Sequence, residues 1–462
     1  MDAFIGDNPS VKPVDQPVFI RRAEYLLALI QTKTNDSLGI PGINYASARK
    51  DNKVFDLKEG TYNSSGKTQS GTYFANPGGV FSQYYARSLN DIKLIGENGA
   101  TKKKERLFVV SQDEGHVNGR ALAEAFANSI GTTNAERFLR CVKGGEADAE
   151  DLEALAVCFN MKSFVNAEKE RDLLVQTLMQ EDFLTTDEPT YYRKETLLHF
   201  LKYIYNAPGK DHNLDFPKYL YNSFLKVPSD DPVTVGWYAY YLNDNYQYQA
   251  SILLKHLLGI LKDAPYDGLW VELDVLVKTT AAGITEELAK QGYTETVADI
   301  ITKLQAEEPR WHLARQAYPA MAIALLNLFY LTTVNEPHME RVKETLTSCF
   351  GWNGGVDDFF RFIQLVKENE HLPIEDFICV FLDYHIIRKH YRVAMRKYHQ
   401  TGIASYKFLL EDGYIRFLDK IDATHMDSRI ATVADFLKEL DLYDNNGLRP
   451  LGEDTLLLEE WL

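Results

Sequence analysis

The sequence predicts a mainly α-helical fold with small β-hairpins near both ends. Three observations carry this. Residues 136–400 are dominated by apolar residues at helical spacing, as in "AEDLEALAVCFNMK", "YYRKETLLHFLKYIYNA" and "SILLKHLLGILKD". Near the N-terminus "LNDIKLIGENG" (89–99) runs from a helical pattern into glycines, and the β-branched and aromatic run "LFVVS" follows. Near the other end "LKELDLYDNNG" (437–447) repeats that scheme without gaps, pairing Leu89 with Leu437, Leu94 with Leu442 and Gly99 with Gly447.

The elements follow in order. Residues 1–17 are rich in Pro and Asp and read as an extended arm, and "IRRAEYLLALIQTK" reads as an amphipathic helix. Residues 56–80 hold so much Gly, Ser, Asn and Thr that they read as a long loop. Its "GKT" (Gly66, Lys67, Thr68) is not a phosphate loop: Gly60 lies six residues before Gly66 where the motif needs five. "FSQYYARSLNDIKLI" is helical in its spacing, and "NGRALAEAFANSIG" resumes as a helix after the strand. The order is helix, short strand, lysine-rich connection, return strand, helix. That is the layout of a winged helix, in which one helix enters a groove and the hairpin flanks it.

Residues 405–419 read as a further hairpin turning at Asp412-Gly413. "SRIATVADFLKELDLYDNNGLRPLGEDTLLLEEWL" then predicts a winged-helix-like end whose tip carries Asp444 instead of lysines. The expected divisions are a winged-helix domain with the Gly/Ser-rich loop at 1–135, a central multi-helix domain at 136–340, and a helical domain with hairpin and winged-helix-like module at 341–462.

Bulk composition narrows the function classes. At 45% hydrophobic and 25% charged the chain is globular. Its four cysteines lie far apart with no CxxC, which predicts reduced thiols of a cytoplasmic protein. "MDAFIGDNPS" lacks the basic start and apolar stretch of a signal peptide. Gln316–Asn335 has twenty residues without a charge, but its Asn, Thr and Pro residues predict a buried core helix in preference to a membrane span. No metal-binding or nucleotide motif is present: there is no HExxH, HxH, GxSxG or GxGxxG, so neither cofactor nor catalytic residue is predicted.

Charge is unevenly distributed. The chain has a net charge of −16, yet residues 1–140 hold 18 Lys and Arg against 15 Asp and Glu. An acidic body repels phosphates over a Debye length of about 8–10 Å, so any contact with double-stranded DNA has to be local. The hairpin cations Lys102, Lys103, Lys104 and Arg106 are the expected backbone contacts, since a hairpin tip needs no lysines in order to fold. Arg21 and Arg22, with Arg49, Lys50 and Lys53, extend that patch if the fold gathers them.

A second basic region is "YHIIRKHYRVAMRKYHQ" (384–400). On a helix His385, Lys389, Arg392, Arg396 and His399 fall at steps of 4, 3, 4 and 3, one stripe suited to an anionic partner or to solvation against the body's own carboxylates. The aromatic run "GWYAYYLNDNYQYQ" (236–249) fits base stacking or, more commonly in helical proteins, inter-helix packing.

The run "YYARSLNDIKLI…LFVVS…GRALAEAF", together with "HYRVAMRKYHQTGIASYKFLLEDG", resembles winged-helix-containing, poorly characterised accessory proteins of bacterial restriction and phage-defence loci. The resemblance covers about a third of the chain and implies a non-enzymatic, DNA-engaging subunit of a multiprotein assembly in antiviral defence. The alternatives are a protein-binding scaffold with winged-helix modules at both ends, as in kleisin-type proteins, and an enzyme whose site is assembled from distant residues.

Overall fold

A computed structural model describes residues 15–34, 40–61, 71–97, 107–112, 117–159, 167–180, 192–207, 212–263, 265–306, 321–351, 357–402 and 404–461. The chain is mainly helical with small antiparallel sheets, and it divides into two units. Unit 1 comprises residues 1–183, 193–209 and 434–462; unit 2 comprises 184–192 and 210–433. The expected divisions at 135 and 340 differ from this grouping, because the last helices pack with residues 193–209 across a long stretch of sequence.

Unit 1 begins with α1 (Gln16–Gln31), α2 (Ile43–Ser47), β1 (Val54–Asp56) and α3 (Leu57–Thr61). A π turn (Phe81–Tyr85) continues into α4 (Ala86–Asp91), followed by the antiparallel strands β2 (Ile95–Glu97) and β3 (Phe108–Val110). Then come α5 (Gly119–Ile130), α6 (Thr132–Gly144), β4 (Glu146–Asp148), α7 (Ala149–Ala156), α8 (Glu168–Met179) and α9 (Arg193–Asn206). Its core gathers Tyr25, Leu26, Leu29 and Ile30 of α1 with Phe55, Leu57, Val142, Leu152 and Leu155. β1 pairs with β4, so Phe55 and Ala147 enter that core from facing strands.

Unit 2 is built on α10 (His212–Lys226) and the long α11 (Pro232–Lys262). β5 (Val271–Glu272), α12 (Leu273–Lys290), α13 (Val297–Ala306), α14 (Met321–Asn335), α15 (Met339–Phe350), α16 (Asp357–Glu368) and α17 (Ile374–Val380) follow. A second π turn (Phe381–Ile387) leads into α18 (Arg388–Thr401), then β6 (Phe408–Glu411) and β7 (Tyr414–Phe417). β6 and β7 form the expected hairpin. Asp412 and Gly413 both have positive φ, 47° and 83°, the pair of left-handed residues that a two-residue type I′ turn requires.

The tyrosines of α11 are packing residues. Tyr238 and Tyr246 are buried, and the Tyr238 hydroxyl donates to Asn335 Oδ1 at 2.6 Å. Asn335 in turn donates to Tyr221 Oη at 3.1 Å, which satisfies a polar group at the centre of an apolar cluster. α14 is buried on nearly every side, and this accounts for the charge-free run within which it lies. Among the described residues no helix is long and apolar enough to cross a membrane.

The chain returns to unit 1 through α19 (Ile430–Glu439), β8 (Tyr443–Asp444), β9 (Gly447–Leu448) and α20 (Pro450–Leu458). α20 and the residues beyond it lie against α9: Lys194 Nζ is 2.7 Å from Glu459 Oε2, and Phe200 meets Tyr443 edge-on at 5.8 Å.

The two helix–hairpin–helix segments share their backbone chemistry. α4 ends with Lys93 at φ 58° and α19 with Asp441 at φ 63°. Lys93 N–H donates to Asn90 O (3.0 Å) and Leu94 N–H to Leu89 O (2.9 Å); Asp441 N–H donates to Lys438 O (3.0 Å) and Leu442 N–H to Leu437 O (3.1 Å). Both ends are Schellman caps with a non-glycine residue in the left-handed position. Next, Leu94 O accepts from Ser111 N–H and Leu442 O from Arg449 N–H, each at 3.0 Å. The strand registers correspond as well, Ile95 opposite Val110 and Tyr443 opposite Leu448. Leu89/Leu437 and Leu94/Leu442 thus occupy equivalent places, while Gly99, the third aligned position, lies outside the described residues.

Candidate nucleic-acid interface

The segment that delivers the π turn and α4 is fixed by two side chains of α1. Arg21 is fully buried. Its guanidinium donates to Thr61 O and Phe74 O, each at 2.8 Å from Nη2, and to Asn76 O from Nη1. Glu24, one turn later, accepts from Val80 N–H (2.9 Å), Phe81 N–H (2.6 Å) and the Tyr73 hydroxyl. Its carboxylate therefore serves as the N-cap of the π turn, where the amides have no intrahelical partner. Removing either charge leaves buried carbonyls or amides unsatisfied, a cost of about 1–3 kcal/mol per group.

This corrects the expected role of Arg21. It is an interior anchor and has no surface to offer a phosphate. In the structure Arg21 falls in phase with the buried Tyr25 and Ala28 of α1, at i, i+4 and i+7. Arg22 is half-buried, its Nη1 3.3 Å from the carbonyls of Val142 and Lys143. Arg49 lies over the Tyr45 ring at 3.6 Å, whereas Lys50 and Lys53 are exposed.

Lys102, Lys103, Lys104 and Arg106 lie outside the described residues. What is described is the pairing on either side of them: Glu97 opposes Phe108, so the chain from 98 to 107 connects two paired strands. Ser111 ties the base of this hairpin together. Its hydroxyl donates to Lys93 O at 2.5 Å and accepts from Gly119 N–H at 2.9 Å.

The helix that feeds the hairpin, Phe81–Asp91, has eight of its eleven residues exposed, so little of it is committed to the core. Ala86 is buried, and Phe81 meets Phe108 edge-on at 5.2 Å. Gln83, Arg87 and Asn90 lie on the solvent side. Sequence reading passed over them, although their spacing of 4 and 3 sets them on one helical face.

In unit 2 the expected stripe on α18 divides into two halves. His385 belongs to the π turn that leads into α18. It is half-buried, and burial, then the fields of Lys389 and Arg392, hold its pKa below the ordinary value. Lys389 is also half-buried; its Nζ is 2.5 Å from Asp358 Oδ2, which also accepts from Gln247 Nε2 at 2.5 Å. Burial pushes the Lys389 pKa down, and the Asp358 carboxylate opposes that shift. These two residues are corrected from surface cations to inward-facing ones. Arg392, Arg396 and His399 are exposed, and among the described residues no carboxylate lies within 4 Å of Arg392 or Arg396. One turn earlier Arg388 is matched, 2.6 Å from Asp383.

For an enzyme, the residues of interest are His425 and Asp244. His425 Nδ1 is 2.8 Å from Asp244 Oδ2, and Tyr248 stacks on the imidazole at 4.1 Å. Their neighbours explain them as fasteners: Asp244 also accepts from Met426 N–H at 2.6 Å, Tyr240 donates to Met426 O, and Lys255 meets Asp422. Together they hold the extended segment after β7 along α11. All four cysteines are free thiols, and among the described residues no group of three or more His, Cys, Asp or Glu is placed to hold a metal ion.

No protein-family model matches this chain, and no match was found among curated proteins or solved structures.

Proposed function

We propose that this chain is a non-enzymatic, DNA-engaging subunit of a larger assembly, and that its N-terminal helix–hairpin–helix works as a winged helix on duplex DNA. The observation that carries the reading is the pairing of β2 with β3, because the run containing Lys102, Lys103, Lys104 and Arg106 connects those two strands. Cations at a hairpin tip reach a phosphate backbone without desolvating the body that bears them. On α18, Arg392 and Arg396 add a second local cationic surface in a chain of net charge −16. The resemblance to defence-locus accessory proteins supports a role in antiviral defence.

The test is duplex binding at about 50 and 200 mM salt. Four phosphate contacts give a slope near −3.6 in log K against log salt, roughly a hundredfold loss across that range. Replacing Lys102, Lys103 and Lys104 by Ala should lower the slope by about 2.7, or about 0.9 for each contact removed. Arg392→Ala with Arg396→Ala should weaken binding further only if α18 shares the DNA. Absence of binding at about 50 mM by folded protein overturns the reading.

The second reading, a scaffold whose modules bind protein, is favoured by the C-terminal hairpin. There Asp444 and Asp441 face Arg449, at 3.7 and 3.2 Å, and no lysine run is present. An apolar protein interface would be nearly insensitive to salt.

A further inference from the structure

We propose that the helix Phe81–Asp91 reads base edges in the DNA major groove, through Gln83, Arg87 and Asn90. The inference rests on the duplex-binding reading above and assigns it a source of sequence preference.

Its first support is the side-chain chemistry. Arg pairs bidentately with guanine O6 and N7, and Asn or Gln with adenine N6 and N7; these three side chains are the base readers with matching forks. The second is placement. All three are exposed, the Arg87 side chain to 91%. Residues 83 to 90 rise about 10 Å at 1.5 Å per residue, close to three base-pair steps at 3.4 Å. A helix about 10–12 Å across fits a major groove about 12 Å wide.

The third support is rigidity. Glu24 caps the start of the helix, and the Schellman cap at Lys93 joins its end to β2 through only Ile92, Lys93 and Leu94. A hairpin seated on the backbone therefore fixes where this helix lies. The present partners of Gln83 and Arg87 are weak and exposed. Gln83 Oε1 accepts from Asn76 Nδ2 at 3.1 Å, and Arg87 Nε is 3.8 Å from Asp91 in a solvent-exposed pair.

The C-terminal segment is an internal control. At the equivalent positions it has Ala431, Asp435 and Lys438, and Lys438 donates to Asn445 Oδ1 at 2.7 Å. A carboxylate in place of Arg87 cannot donate to guanine, so the shared backbone carries opposite chemistry at the two ends.

The experiment is selection from a library of duplexes with a randomised core, using full-length wild type, Arg87→Ala, Asn90→Ala and, as control, Asp435→Ala. Wild type should enrich a short motif containing guanine and adenine. Arg87→Ala should lose the guanine preference and Asn90→Ala the adenine preference, each by roughly ten- to a hundredfold in discrimination. Both should keep the salt slope of the wild type, and Asp435→Ala should change neither. Salt-sensitive binding with no enriched motif, or a motif unchanged in Arg87→Ala and Asn90→Ala, overturns the base-reading assignment and leaves backbone binding standing. No binding to the library at low salt overturns both.

Discussion

The segments 86–130 and 430–458 make the same backbone turn with different side chains around it. In both, a leucine amide after a left-handed residue closes the helix, and the carbonyl of that leucine receives the returning strand. In sequence the N-terminal copy carries Arg87 and a lysine run, and the C-terminal copy carries Asp435, Asp441 and Asp444. The frame is set by hydrogen bonds that any sequence with a tolerant residue at the turn can make, and the exposed positions are free to specialise. A shared fold in this protein therefore says nothing about shared partners.

The equivalence is most severely tested at its two glycines. A Cβ on Gly119 would lie 1.8 Å from Leu94 O, and one on Gly452 would lie 2.1 Å from Leu442 O. Neither carbonyl can move without breaking the bond it accepts. Gly119→Ala and Gly452→Ala should each cost about 2–4 kcal/mol, read from the urea midpoint. A large cost at one and none at the other would show that the two frames are not equivalent.

Ser111 is where the copies diverge. Ser111→Ala removes two hydrogen bonds and leaves Lys93 O and Gly119 N–H without that partner, so a loss of about 1–2 kcal/mol is expected. The residue in its place is Arg449, whose side chain meets the carboxylates of Asp441 and Asp444. Smaller still, Lys93→Gly and Asp441→Gly should each raise stability by about 0.5–1 kcal/mol, because glycine takes the left-handed cap position without steric penalty. Arg449→Ala should change stability by about 0.5 kcal/mol or less, and the change should vanish in high salt. If the two glycine substitutions shift stability in opposite directions, the caps differ in a way their dihedrals do not reveal.

Much of the fold was legible because local pattern and tertiary structure agree. The helical periodicity, the Asp412-Gly413 turn and the gapless match between Leu89–Leu94 and Leu437–Leu442 all depend on neighbours in sequence. What depended on distant neighbours was not legible. Arg21 looked like a surface cation until three carbonyls from residues 61, 74 and 76 closed around it. Lys389 belonged to a basic stripe until Asp358, itself held by Gln247, came to meet it. A one-dimensional reading counts charges well and assigns their surroundings poorly, since a buried cation is defined by the acceptors that the rest of the chain brings.

Unit 1 is interrupted by unit 2 in sequence, and this bears on synthesis. Residues 434–462 leave the ribosome only after nearly all of residues 210–433 have been made. At 5–20 residues per second, α9 waits roughly 10–50 s for the helix that covers it. During that interval Phe200, buried in the finished protein, has yet to meet Tyr443 of the C-terminal segment. Nascent chains stalled before residue 434 should therefore recruit holdase chaperones through α9 and release them once the last helix emerges.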